Sequence, residues 1–344
     1  MIRGALLVVI GLGTSAAAQS DTTRPSPELF AAAEPLALTL TTDLKTLLKD
    51  RDTVREYRGA VLSYVDPEGA PVSLDIRVRT RGHFRLKANT CQFPPIMLDL
   101  PRKAAARTVF GARDKLKLVT HCRNRDDFDQ HVVQEYLVYR LYNRLTDRSF
   151  RVRLARMTYA DSAGRDTPVT RYGFLLEDNG EMAARNQATV LEQKGLLQDD
   201  IDFHNMGLVA VFQYMVGNTD WSVWGLHNIE LLRDSSGLTY AVPYDFDWSG
   251  VVDAPYAKPD MRLPIQSVRQ RLFRGICRAP DQFAPLFAQF VTQKDTIYAL
   301  YRNEPALSPK SREATLRYFD DFYKTIADSR AIKREFLQTC GNRS

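Results

Sequence analysis

The chain has 344 residues, 44% hydrophobic and 26% charged, a balance that excludes disorder and allows one large domain or two lobes. Its net charge of +6 comes without a long Lys/Arg run, so no nucleic-acid partner is expected. No stretch beyond the N-terminus approaches the ~20 apolar residues of a membrane-spanning helix, so no transmembrane segment is expected.

Arg3, the apolar run from Gly4 to Leu12 and the small residues Ala16, Ala17 and Ala18 have the pattern of a signal peptide over residues 1–18. Cleavage near Ala18 would export the chain to the periplasm or the extracellular space. Residues 19–35 carry Pro25, Pro27 and Pro35 among polar and small residues and read as a flexible leader. Four cysteines in an exported chain point to disulfides, and their spacing fits no CxxC zinc site. Three connectivities are open. Pairing within each half, Cys91–Cys122 and Cys277–Cys340, is the expectation.

Leu36 to Thr41 alternates and predicts a strand, and Asp43 then caps a short helix through Lys49. Strands follow over 56–64 and 72–81, joined around the turn sequence Asp66-Pro-Glu-Gly69. In the second, Leu74, Ile76 and Val78 share one face, and Arg77, Arg79 and Arg81 share the other. Residues 96–100, 115–120, 152–159 and 172–176 read as further strands. Asp126 opens a helix on which Val133, Leu137, Leu141 and Leu145 recur every fourth residue. Beyond 177–180 the chain turns helical. Leu208, Val211, Phe212 and Met215 share a face, and Gly217 can end that helix in the left-handed conformation. From Pro280 onward Phe283, Phe287 and Phe290, then Phe319 and Phe322, then Phe336 mark packed helices. The expectation is an α+β protein with a sheet-rich N-lobe over 36–177 and a mainly helical C-lobe over 178–344.

The chemistry concentrates after Gly217. Asp220 lies in the loop that follows the helix. Asn228 to Leu232 and Thr239 to Tyr244 are strand-like, with Asp234 to Gly237 as the turn between them. A turn centred near residue 236 places Asn228 roughly opposite Asp245. One carboxamide and the carboxylates of Asp245 and Asp247 then share an open end, and such hard oxygen donors suit Mg²⁺ or Mn²⁺. A loop acid, a metal-binding Asn and a later metal-binding Asp are the parts of a phosphoryl-transfer site. Here the Asp-to-Asn spacing is eight residues, against about five in ordinary protein kinases. Arg269, Arg271 and Arg274 are open to two readings, a clamp for an acidic group or a solvated helix face.

Several motifs resemble those of the CotH-like kinases, relatives of spore coat protein H: Arg79-Thr-Arg-Gly82, Lys115-Leu-Lys-Leu118, Gly217-Asn-Thr-Asp-Trp221 with His227 and Asn228, and Pro243-Tyr-Asp-Phe-Asp-Trp248. The resemblance covers much of the mature chain. It implies a two-lobed, protein-kinase-like fold with an antiparallel-sheet N-lobe, and ATP- and metal-dependent phosphorylation of a protein Ser/Thr hydroxyl outside the cytosol. It assigns Asp220 as the base, Asn228 and Asp245 to the metal, and Asp247 as a second ligand or a replacement for the glycine of Asp-Phe-Gly. Family members carry lysines where this chain reads Cys91-Gln-Phe-Pro-Pro95. Arg81, Lys87 and Lys117 are therefore the candidates for contacting phosphate, with Arg85 beside them and Glu135 as a partner for one such base. A kinase-like binding or envelope-assembly protein without turnover is the alternative.

Overall fold

The computed structural model describes Met1 and residues 28–340. Apart from Met1, the expected signal peptide lies outside the described residues, as do residues 19–27 of the expected leader. The remainder of that leader is docked on the protein. A short helix α1 (Glu28–Ala31) buries Leu29 completely, and Arg153 donates to the carbonyls of Leu29 (3.2 Å) and Glu34 (2.6 Å).

Seven strands close into a barrel: β1 (Leu36–Thr42), β2 (Arg58–Val65), β3 (Pro71–Thr80), β4 (Ile96–Asp99), β5 (Lys115–Val119), β6 (Val152–Asp161) and β7 (Val169–Leu176), in the order β1-β2-β3-β4-β5-β7-β6. Helix α2 (Leu44–Lys49) follows β1, its first turn capped by the Asp43 carboxylate on the Thr46 amide, and α3 (Arg102–Ala105) follows β4. The strands lie within about three residues of where alternation places them. On β3 the side chains of Leu74, Ile76 and Val78 point into the barrel, while Asp75 and Arg77 face outward.

The closure overturns the expected architecture. An antiparallel N-lobe sheet in a two-lobed, kinase-like arrangement would leave two edges; instead β1 runs parallel to β6, from Leu36 opposite Ala155 to Thr42 opposite Asp161, and the sheet has no free edge. Alternation reports which face of a strand is buried and says nothing about its partner. The two partners here are separated by more than a hundred residues of chain, so local sequence carries no signal for their pairing.

Helix α4 (Asp126–Leu145) packs on the outside of the barrel and is buried on nearly every side, Glu135 included. Beyond the barrel come α5 (Asn179–Arg185), β8 (Ala188–Val190), α6 (Phe203–Val216), β9 (Ile229–Asp234) and β10 (Thr239–Pro243); β8, β9 and β10 form a second, three-stranded sheet. Helices α7 (Pro280–Arg302), α8 (Pro309–Ala327) and α9 (Ser329–Ile332) follow, and a π-helical turn over Lys333–Leu337 leads to the last described residues. The larger hydrophobic core joins α4 to α6, α7 and α8, and the smaller fills the barrel. Strands β6 and β7 serve both, because Leu154 and Phe174 face the helices while Ala155 and Leu175 face the barrel interior. Cys91–Cys122 and Cys277–Cys340 are disulfides, as expected, which suits an oxidising compartment. Among the described residues no helix is long and apolar enough to cross a membrane.

Candidate phosphoryl-transfer site

Helix α6 ends at Gly217, whose φ of 69° is the left-handed conformation the sequence suggested. A Cβ there would meet the Tyr318 hydroxyl at 2.1 Å, so the position requires glycine for space as well. The chain then turns through Asn218, whose side chain accepts from the Asp220 amide at 3.0 Å. Residues 222–227 form a tight loop, pinched by reciprocal backbone bonds between Ser222 and His227. This folds Asn228 back onto Asp220. Asn228 Nδ2 donates to the Asp220 carbonyl (2.8 Å) and to Asp220 Oδ2 (3.0 Å), while His227 Nε2 sits 2.8 Å from Asp220 Oδ1. Both carboxylate oxygens are therefore oriented. The bond to Asp220 raises the His227 pKa above its ordinary value, against the opposing effect of partial burial.

The β9–β10 hairpin brings the second acidic group to the same place, one residue out of the expected register. Asn228 faces Tyr244, whose amide donates to the Asn228 carbonyl at 3.1 Å, and Asp245 lies one step further on. The reason is the turn. It has three residues between Asp234 and Leu238, with Gly237 at a φ of 88°, and an odd-numbered loop shifts the pairing. Asn228 and Asp245 both leave the strand conformation, with φ of 52° and 60°. The Asp245 amide donates to the Tyr139 hydroxyl of α4 at 2.8 Å. Between the two aspartates Phe246 is fully buried against Tyr139 and Phe212, and this wedge pins the segment.

Asp245 is exposed to a cavity of about 710 Å³ and accepts no hydrogen bond from the described residues. Asp247 is buried and accepts from the Tyr256 hydroxyl at 2.9 Å. Burial and the neighbouring Asp245 push the Asp247 carboxyl up to about 8. Glu135, 2% exposed, lines the same cavity, and burial together with Asp247 and Asp245 raises its carboxyl well above the usual range. These buried acids are poorly compensated by the protein alone.

The basic groups divide. Arg81 lines the cavity, and its guanidinium has no hydrogen bond or ion pair among the described residues; burial lowers its pKa and Asp245 opposes that. Arg85 lines it too and is tied to the Thr120 carbonyl. Lys117 lines it, but its ammonium is held at 2.6 Å by Asn179, which in turn donates to Glu230 at 2.6 Å, and Glu135 is not its partner. Lys87 is exposed, with its ammonium 5.4 Å from the centre of the Phe84 ring, and is not among the residues lining the cavity.

A second cavity of about 670 Å³ adjoins the first, and the two share Asp220, His227 and Trp248. Its other wall is the long irregular segment between β10 and α7, with Lys258, Asp260, Met261 and Arg262. Arg269, Arg271 and Arg274 of this segment do not form a solvated helix face; each is committed to main-chain carbonyls. Arg269 donates to the Gly250 carbonyl, Arg271 to those of Met215 and Tyr318, and Arg274 to those of Thr219 and Trp221. Arg274 thus anchors the loop carrying Asp220. Sequence reasoning missed this role because a guanidinium that binds main-chain carbonyls leaves no pattern in the residues it holds.

Among the described residues, no group of three or more His, Cys, Asp or Glu side chains is gathered to hold a metal ion. Asn228, Asp245 and Asp247 offer one carboxamide and two carboxylates. That donor set suits a Mg²⁺ or Mn²⁺ whose remaining ligands are phosphate oxygens and water. A cation held there would favour the ionised form of these acids, whose carboxyls burial and mutual repulsion otherwise push up. No protein-family model matches the chain and no curated protein matches it, so its functional reading rests on the geometry and chemistry of these residues.

Proposed function

We propose that the chain is an exported kinase of CotH-like type, which transfers the terminal phosphoryl group of ATP to a Ser/Thr hydroxyl of a protein substrate. The observation that carries this reading is the position of Asp220, a doubly oriented carboxylate at the junction of two cavities. One is lined by acidic and basic groups suited to a metal–nucleotide complex, the other is open for an acceptor. The reading rests on the site alone, since the closed barrel departs from a two-lobed kinase architecture.

Asp220 takes the proton of the acceptor hydroxyl as its oxygen bonds to phosphorus; the bond from phosphorus to the bridging oxygen breaks, and the diphosphate leaves. Asn228 and His227 hold the two Asp220 oxygens in place for that step. Arg81 offers its guanidinium to phosphate oxygens facing the cavity. Asn228, Asp245 and Asp247 would hold a divalent cation, which when bound offsets charge on the phosphates. Tyr139 and Phe246 fix the backbone on which Asp245 is carried. A second reading, nucleotide binding without turnover, is favoured by the engagement of Lys117 with Asn179 in place of Glu135.

The test is transfer of labelled γ-phosphate from ATP with Mn²⁺ or Mg²⁺ to a panel of exported proteins. Asp220→Asn should lower kcat by roughly 10²–10⁴ with little change in nucleotide affinity. Asp245→Ala should abolish metal-dependent nucleotide binding. Wild-type rates in both variants would sink the proposal, and tight metal–nucleotide binding with no transfer would leave the second reading.

A further inference from the structure

A separate cavity of about 310 Å³ lies at the C-terminal end of α4, lined by Arg140, Arg144, Arg151 and Arg185 together with Asn143, Asp147, Ser149 and residues of α1. It is remote from the site above in a definite sense. Glu135 and Arg144 are nine residues apart on α4, which at about 100° per residue puts them on opposite faces of the helix. Asp147 is the one acid in this lining, against four arginines.

The arginines have different duties. Arg185 is committed to structure, since it donates to both oxygens of Glu177 and to the carbonyls of Asp147 (2.8 Å) and Ser149 (2.6 Å). Asn143 reinforces the same turn through Ser149 and Phe150. The floor of the cavity is therefore rigid. Arg140 makes one hydrogen bond, to the Tyr136 hydroxyl at 2.6 Å, and no ion pair among the described residues. The guanidiniums of Arg144 and Arg151 make neither a hydrogen bond nor an ion pair among the described residues, although each lines the cavity. Compensation of the α4 dipole accounts for an arginine at Arg144. It does not account for Arg151, which lies just before β6, nor for the convergence of three incompletely used guanidiniums on one concave space.

We propose that this cavity is an anion-binding site for a phosphate or diphosphate group, presented either by a lipid headgroup or by a small phosphorylated molecule. Planar guanidiniums with several free donors are the side chains that match tetrahedral phosphate oxygens in bidentate fashion. The volume suits one such group, and the ordered turn at 146–150 preorganises the floor. The site is independent of the phosphoryl-transfer reading and stands or falls without it.

The test is calorimetric titration of the full chain with inorganic pyrophosphate in metal-free buffer. Arg144→Ala and Arg151→Ala should each weaken binding by roughly tenfold, and the double variant by more. Arg81→Ala and Asp245→Ala, which alter the other cavity, should leave this binding unchanged. Arg144 is exposed at the helix end, so its single variant keeps the test valid if the double variant fails to fold. Co-sedimentation with phosphatidylglycerol vesicles, against phosphatidylcholine controls, separates the sources. Vesicle binding lost in Arg144→Ala assigns a lipid headgroup, and pyrophosphate binding without vesicle binding assigns a soluble ligand. Absence of both, or binding that depends on Arg81 and not on Arg144 and Arg151, overturns the proposal.

Discussion

At the scale of single residues, burial without partners is what makes side chains here unusual. His121 is fully buried between Phe93 and Tyr159, with ring centres 4.4 and 5.5 Å away, and neither ring nitrogen has a hydrogen-bond partner. Burial first, then the nearby charges of Arg171 and Arg85, depress its pKa from 6.5 to about 3. Between those values the unfolded chain binds a proton at this position and the folded chain does not. Stability therefore rises with pH across that window and is lost on acidification, by about 2 kcal/mol at pH 5. His121→Phe should remove the effect and keep the ring packing. The melting-temperature gain over wild type should grow as pH falls from 7 to 4, and a gain independent of pH would contradict the argument. Nothing in the sequence around His121 distinguishes it from an exposed histidine. Asp220, Asn228 and Asp245 were legible because they sit at fixed offsets within one loop and hairpin. The Asn179 partner of Lys117 was not, since those two residues meet only through folding.

At the scale of elements, the caps and cross-links position the site. Gly217→Ala would put a methyl group against Tyr318 at a positive φ, and should cost about 2–4 kcal/mol by denaturant unfolding. A variant that unfolds like wild type would show that the loop end accommodates the change. The two disulfides differ in what they hold. Cys91–Cys122 spans 31 residues and ties the segment after Arg81 and Arg85 to the start of α4, while Cys277–Cys340 spans 63 and ties the irregular segment before α7 to the C-terminal turns. Loss of either should cost about 2–5 kcal/mol. On the proposed function, Cys91→Ser/Cys122→Ser should also weaken binding of a metal–nucleotide complex in excess of its effect on stability, and Cys277→Ser/Cys340→Ser should not. Equal effects of the two pairs on binding would remove the distinction.

At the scale of the molecule, the boundary read near residues 177–180 does not separate two cores. Residues of β6 and β7 alternate between the barrel interior and the helical core, and α4 is packed between them. The chain should unfold calorimetrically in one transition, and pieces 28–177 and 178–340 should not fold separately; two resolved transitions would refute this coupling. The amino-acid sequence by itself did not mark β8, α3 or α5. It determined the barrel strands and the main helices with their buried faces, the glycine that ends α6, and the loop and hairpin that carry the acids. Each is a consequence of interactions between residues close in the chain, whose periodicity and turn chemistry are visible locally. Tertiary structure alone decided the parallel closure of β1 on β6, the commitment of Arg274 to the loop it anchors, and the meeting of two cavities at Asp220. Those depend on which distant surfaces exclude water together, and no local pattern records that. The site opened by Gly217 is thus legible as a set of residues, but its function as a junction between cavities exists only in the fold.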